Sequence, residues 1–182
     1  VYIGGGTPTV LSAAQLHRLL SCVGQNADID ALHEFTLEAG RPDTITAEKL
    51  TIARESGVTR ISVNPQTLSD ELLRNIGRQH TVADFYRAYE MAQNSGIRDI
   101  NVDLIAGLPG DNFNNFSDSC DAVLSLAPSN LTVHSFAVKN AADFRQRGDF
   151  SFSLSCGDAA KSVEYSQLRA KNAGYRPYYM YR

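Results

Sequence analysis

Short strand-like runs alternate with longer stretches of helical periodicity along almost the whole chain of 182 residues. The pattern predicts six strands, at 1–3, 33–38, 60–63, 97–105, 131–136 and 175–181. It predicts helices between them, at 12–23, 46–56, 69–76, 81–95, 116–126 and 158–173. Strands separated by helices indicate parallel βαβ units. Because such crossovers are right-handed, the units should wind into a barrel or an open doubly wound sheet.

Local signals support the helix boundaries. Ser12 with Gln15, and Thr81 with Asp84, have the spacing of a capping box. Glycines end three of the predicted helices, at Gly57, Gly77 and Gly96. Residues 139–157 are rich in polar and aromatic side chains and are expected to form one long irregular excursion. We expect residues 1–182 to form a single α/β domain.

The composition excludes several classes of protein. Hydrophobic residues make up 43%, charged residues 20%, and the formal net charge is −3, which gives no electrostatic footprint for nucleic acid or an anionic membrane. No apolar run approaches the length of a membrane span, and we expect no signal peptide. An odd number of widely spaced cysteines argues against a disulfide framework and predicts a reducing compartment, the cytoplasm: Cys22, Cys120 and Cys156.

Cys22 and Cys120 fall within helical patterns and are predicted to be small buried apolar groups. The chain starts at Val1 without an initiator Met, inside a predicted strand, and ends inside another. We therefore expect it to be a piece of a longer protein, cut at both ends.

In parallel α/β folds ligands bind at the carboxyl ends of the strands. Glu38 ends the second predicted strand, Gln66 follows the third, and Asp103 lies in the fourth. A glycine run with Thr7 follows the first, and Ala137 follows the fifth. These positions form the predicted binding edge.

The glycine run Gly4-Gly5-Gly6-Thr7 allows a ligand to approach the backbone closely. It is not a dinucleotide fingerprint, because Thr9 stands where the third glycine should be, and no Gly-Lys-Ser/Thr follows as in a P-loop. A tight strand-to-helix turn is the alternative interpretation.

The charged positions have two interpretations each. Glu38 and Asp103 could accept hydrogen bonds from a ribose diol or an amino group, or they could be structural carboxylates in ion pairs. Arg78 could clamp a carboxylate, or it could be a solvated residue at a helix end. The histidines have no metal-binding spacing, so a mononuclear metal site is not predicted.

Taken in order, these segments resemble the oxygen-independent coproporphyrinogen III oxidase family of radical S-adenosylmethionine (SAM) proteins. The segments that carry the resemblance are 4–9, 37–38, 65–66, 77–78 and 102–110. The HemZ-type branch of that family is the most similar, through 61–67, 76–81, 131–135 and 175–182. The likeness covers nearly the whole chain.

The resemblance implies a partial (β/α)6 barrel, here without the first unit, whose loop carries Cys-x-x-x-Cys-x-x-Cys. Those cysteines hold a [4Fe–4S] cluster, and SAM bound to it yields a 5′-deoxyadenosyl radical. In the oxidase the radical starts the oxidative decarboxylation of a coproporphyrinogen propionate in haem biosynthesis. The implied partners are a tetrapyrrole substrate and an electron donor for the cluster.

The resemblance also implies roles for single residues. The glycine turn would meet the methionyl amino group of SAM, and Glu38 is similar to the SAM-binding acid of the family. The implied SAM-binding set is Gly5, Gly6, Thr7, Glu38, Gln66, Arg78, Asp103 and Ala137. No catalytic residue and no cluster ligand is implied within the chain, because the cluster cysteines are expected upstream of Val1. The chain alone is therefore expected to be inactive.

Two other functions stay open. One is a non-enzymatic haem-binding or haem-delivering relative on the same barrel. The other is an ordinary (β/α) barrel enzyme that uses phosphate or NAD. The absence of the dinucleotide and P-loop sequence patterns argues against this second function.

Overall fold

The computed structural model describes residues 1–136 and 156–178. The strands are β1 (Tyr2–Ile3), β2 (Thr36–Glu38), β3 (Arg60–Ser62), β4 (Asp99–Ala106) and β5 (Asn130–Ser135). The helices are α1 (Ala13–Asn26), α2 (Ala47–Glu55), α3 (Asp70–Asn75), α4 (Val82–Asn94), α5 (Phe113–Ser125) and α6 (Cys156–Asn172). Two short 3₁₀ turns, which the sequence pattern did not indicate, lie at Pro8–Val10 and Pro42–Thr44.

The strands form one sheet in the order β1-β2-β3-β4-β5. The first three pairs are parallel, with Tyr2 opposite Thr36, Leu37 opposite Ile61, and Ile61 opposite Ile100. Sequential order with intervening helices is the winding of a (β/α) barrel. The sheet does not close within the described residues, so the predicted α/β partial barrel is confirmed as an open one.

The predicted sixth strand is wrong for the part of it that the structure describes. Residues 175–178 have no regular structure, and 179–181 lie outside the described residues. Gly174, at φ +88°, ends α6, and the Tyr175 N–H donates a hydrogen bond to the Ala170 carbonyl at 2.9 Å. Pro177 has no N–H to give to a sheet. These local features explain why residues 175–178 do not form a strand.

The predicted excursion at 139–157 lies mostly outside the described residues. Its last two residues belong to α6, which begins at Cys156 rather than at Asp158. The helix therefore starts two residues earlier than the pattern predicted.

Two compact units make up the chain. The first consists of Val1–Pro65, Gln79–Asp103 and Pro128–Thr132, and its buried side chains include Leu16, Phe35, Leu37, Ile61 and Phe85. The second consists of Gln66–Arg78, Leu104–Ala127 and Val133–Arg182, and its core includes Leu73, Leu104, Leu108, Phe116 and Val123. The single domain over 1–182 stays a prediction.

Both predicted capping boxes are present. The Ser12 hydroxyl accepts from the Gln15 N–H while the Gln15 side chain accepts from the Ser12 N–H at 3.0 Å. Thr81 and Asp84 make the same exchange at the start of α4. The α1 and α4 starts are therefore fixed by local sequence.

The prediction for the cysteines is half right. Cys120 is buried in α5, as expected, but Cys22 is exposed. Leu16 and Leu20 form the buried stripe of α1, and Cys22, two positions after Leu20, lies about 200° further round the helix. None of the described helices is long and apolar enough to cross a membrane.

Candidate functional site

The first strand ends in a glycine turn beside the carboxylate that ends the second strand. Glu38 Oε2 accepts a hydrogen bond from Tyr2 Oη at 3.0 Å and a longer one from the Gly5 N–H at 3.4 Å. A Cβ on Gly4 would lie 2.3 Å from the Tyr2 ring and 2.4 Å from Glu38 Oε2. The missing side chain of Gly4 is therefore what lets the tyrosine and the carboxylate meet.

Beyond Gly4 the turn is open. Gly5 has φ +90°, and among the described residues no atom beyond the adjacent ones in the chain lies within 4 Å of where a Cβ on Gly5 or Gly6 would stand. Thr7 precedes the first 3₁₀ turn, and its side chain does not cap it. The three residues thus present backbone, a hydroxyl and free space at the carboxyl end of β1, which is where a ligand could approach closely.

Asp103, the second acid of the predicted binding set, lies in the first unit and is half-buried. Its Oδ2 accepts from the Asn64 side-chain amide at 2.7 Å, and its Oδ1 accepts from the Asn101 amide, also at 2.7 Å. Both of these donors are neutral side-chain amides.

Gly40 lies next to Glu38 and to Asn64, the residue whose amide donates to Asp103. A Cβ on Gly40 would lie 3.6 Å from Glu38 Oε1 and 3.6 Å from Asn64 Nδ2. Glu38 and Asn64 therefore border the same small space, and the side-chain amide of Asn64 is hydrogen-bonded to Asp103. The first unit thus brings together the glycine turn, Glu38 and Asp103 from the predicted set.

The other predicted residues belong to the second unit. Gln66 is buried and has φ +70°, a left-handed conformation that is uncommon for a residue with a side chain. It forms a parallel bridge with Leu104, and its carbonyl accepts from the Ile105 N–H at 2.8 Å. Arg78 follows the left-handed Gly77 at the end of α3, half-buried. Ala137 lies outside the described residues.

Sequence reasoning did not select Tyr2, Gly40, Asn64 and Asn101. One signal was available: Asn101 and Asp103 are two residues apart in a strand and must share a face. The contacts of Tyr2 and Asn64 join segments more than thirty residues apart, so no local pattern could have found them.

A metal cluster has no ligand set in residues 1–136 and 156–178, where no three His, Cys, Asp or Glu side chains come together. Cys22 is exposed on α1 in the first unit, and Cys120 is buried on α5 in the second. The cysteine side chains that the structure describes therefore do not fit a [4Fe–4S] cluster. Acceptors around an open glycine turn do fit a zwitterionic amino acid joined to a ribose.

Comparison with known proteins gives a consistent family. The sequence profile of the radical SAM superfamily matches residues 1–123. The oxygen-independent coproporphyrinogen-III oxidase-like protein HemZ of Bacillus subtilis is 38% identical over 183 residues, covering 100% of this chain and 36% of that protein. The heme chaperone HemW of Lactococcus lactis is 36% identical over 181 residues, covering 98% of this chain and 47% of that protein.

A solved structure agrees with these relatives. The radical SAM enzyme coproporphyrinogen III oxidase (HemN) of Escherichia coli superposes with a TM-score of 0.83 at 28% identity, covering 96% of this chain and 40% of that one. The chain thus spans less than half the length of each of these three proteins.

Proposed function

The chain belongs to the radical SAM superfamily, and from that membership we propose that it supplies the SAM-binding wall of an oxygen-independent coproporphyrinogen III oxidase-like enzyme. The superfamily uses SAM and a [4Fe–4S] cluster. The observation that carries the proposal is the pairing of an open glycine turn with the half-buried carboxylate of Glu38. A cationic amino group next to a carboxylate and free backbone is a charge-assisted contact.

Each part of SAM would find a chemical complement. Glu38 and the Gly5–Gly6–Thr7 turn would bind the methionyl ammonium, and Asp103 would accept hydrogen bonds from the ribose hydroxyls. Arg78 would pair with the methionyl carboxylate. Gln66 and Ala137 are assigned to SAM by their motif positions. This division of roles is supported by the number of acceptors at the ends of β1 and β2 and in β4.

The cluster would lie on ligands other than the described cysteines. When bound, cluster and SAM together supply a carbon radical that can take hydrogen from an unactivated C–H bond. The residues of this chain bind SAM, fix its orientation and keep its ammonium and hydroxyl groups paired. The proposed substrate is a tetrapyrrole with propionate side chains, and the proposed outcome is oxidative decarboxylation. An electron donor for the cluster is part of the proposal.

The test uses the full-length protein, reconstituted anaerobically with iron and sulfide. After reduction with dithionite it should cleave SAM to 5′-deoxyadenosine, measured by chromatography. Glu38→Ala and Asp103→Ala should each weaken SAM binding while the absorbance of the cluster stays unchanged. A fully loaded cluster that yields no 5′-deoxyadenosine would contradict the assignment.

A heme chaperone is the second candidate, favoured by the 36% identity to HemW over 98% of the chain. Two assays on the same protein separate the candidates. Conversion of coproporphyrinogen III with release of carbon dioxide supports the oxidase. Stoichiometric haem binding without turnover of coproporphyrinogen III supports the chaperone.

A further inference from the structure

We propose that Asn64 and Asn101 are positioning residues for Asp103, whose side-chain amides hold its carboxylate in the orientation that receives the ribose of SAM. The inference rests on the proposed function, because it takes Asp103 to contact SAM. It adds two residues that act on the ligand through a third.

The two amides bind opposite ends of the carboxylate. Asn64 Nδ2 donates to Oδ2 and Asn101 Nδ2 donates to Oδ1, both at 2.7 Å. Hydrogen bonds to an ionised acceptor are shorter and stronger than those between neutral groups. A carboxylate has about four lone-pair sites, and donors on both of its oxygens fix the plane of the group.

The fifth strand determines which way Asn101 points. Asn101 Oδ1 accepts a hydrogen bond from Thr132 Oγ1 at 3.0 Å and another from Asn130 Nδ2. Turning the amide over would place its oxygen against the Asp103 carboxylate and its NH₂ against that of Asn130. Asn101 is therefore locked, and its donor end must face Asp103. The contacts run from β5 through β4 to the carboxylate within the first unit.

Asn64 also donates to the Asp103 carboxylate, but its own side-chain oxygen is left without a hydrogen-bond donor among the described residues. The residue is 4% exposed, and its Oδ1 is buried with no hydrogen-bond partner in the described part of the chain. A buried acceptor without a donor is unfavourable, and the opposite orientation would set oxygen against carboxylate. The structure keeps the donor on Asp103 and leaves the acceptor unpaired. A site selected for stability alone would not need this arrangement, whereas a site that orients a carboxylate does.

The experiment measures SAM binding by isothermal titration calorimetry on the cluster-loaded full-length protein, anaerobically and without a reductant. Asn64→Ala and Asn101→Ala should each weaken binding about tenfold or more, which is the loss expected for a hydrogen bond to a charged group. Asp103→Ala should weaken it at least as much. Asn94→Ala, at the exposed end of α4, is the control and should bind SAM like the wild type.

A double-mutant cycle separates positioning from general loosening. If Asn101 acts through Asp103, adding Asn101→Ala to Asp103→Ala should cause no further loss beyond about twofold. Losses that multiply would show independent action and overturn the proposal. The proposal would also be overturned if both asparagine variants bound SAM like the wild type while Asp103→Ala bound it weakly. That result would leave the proposed function intact. Wild-type binding by Asp103→Ala would instead remove Asp103 from the site and overturn both.

Milder variants cover the case in which the buried asparagine variants do not fold. Asn130→Ala and Thr132→Val loosen Asn101 from β5 and leave the amides on Asp103 in place. Each should weaken SAM binding about threefold, with the unfolding temperature recorded alongside. Wild-type affinity in both variants would overturn the proposal.

Discussion

The hydroxyl of Tyr2 donates to the carboxylate of Glu38 across the first two strands, at 3.0 Å. Tyr2 lies opposite Thr36 in the parallel register, so its ring reaches along the sheet to the residue two positions further. Tyr2 is 64% exposed, so little of its surface is packed against the core. The hydrogen bond therefore orients the carboxylate of Glu38 toward the glycine turn.

Removing that hydroxyl should weaken SAM binding without unfolding the protein. Tyr2→Phe in the full-length protein leaves the ring and takes away one donor to Glu38, and a bond of this exposed kind contributes about 0.5–1.5 kcal/mol. We expect SAM affinity to fall roughly two- to tenfold, measured by titration calorimetry. Tyr86→Phe, on the exposed side of α4, is the matched control. Unchanged affinity in Tyr2→Phe would mean that the contact has no part in binding.

Gly4 should tolerate a methyl group in the fold but not in the site. In Gly4→Ala the new Cβ would meet the outer ends of two flexible side chains, Tyr2 and Glu38, which can move aside at little cost. We expect the unfolding free energy to change by less than about 1 kcal/mol, and SAM affinity to fall about tenfold or more. Chemical denaturation and calorimetry on the same samples measure the two effects.

Gly24→Ala is the control for this variant. Gly24 lies within α1, and a Cβ there meets nothing within 4 Å among the described residues. Helix propensity predicts a stability gain of about 1 kcal/mol with unchanged SAM binding. Equal losses of affinity in both alanine variants would contradict the proposed geometry around Gly4.

The parts of this fold that the sequence predicts are those set by local interactions. The Ser12 and Thr81 caps each depend on a partner three residues away, so the helix starts could be found from spacing alone. The failures have two causes, one long-range and one local. Asn64 contacts Asp103 only because β3 and β4 pair in one register. The predicted strand at Tyr175 fails because the Tyr175 N–H is hydrogen-bonded to the last turn of α6. Side-chain pairs between distant segments follow from the fold and cannot be read before it.

The capping box of α4 should make a pH-dependent contribution to stability. The backbone N–H and hydroxyl of Thr81 donate to the Asp84 carboxylate and lower its pKa below the ordinary value. A carboxyl with a lowered folded-state pKa stabilises the protein above its unfolded pKa of about 4, and this contribution is lost as the pH falls through the folded value. Asp84→Ala should cost about 0.5–1 kcal/mol at pH 7 and progressively less below pH 4.

Gln15→Ala provides a neutral comparison for Asp84→Ala. Gln15 completes the capping box of α1 with an uncharged amide. Its loss should cost a similar free energy that does not change between pH 3 and 7, measured by urea denaturation at each pH. If the cost of Asp84→Ala were equally flat over this range, the carboxylate would not be the group that titrates.

Cys120 and Cys22 should differ sharply in their reactivity toward iodoacetamide. Burial, with the neighbouring Asp121 carboxylate adding to it, raises the pKa of the Cys120 thiol to about 11, so roughly a thousandth of it is thiolate at pH 8. Cys22 is exposed on α1. Brief treatment of the folded protein should therefore modify Cys22 and leave Cys120 intact, as read by peptide mass spectrometry. Cys22→Ser should abolish the modification at position 22, and unfolding in guanidinium should expose Cys120. Equal modification of both thiols in the folded protein would show that α5 does not bury Cys120.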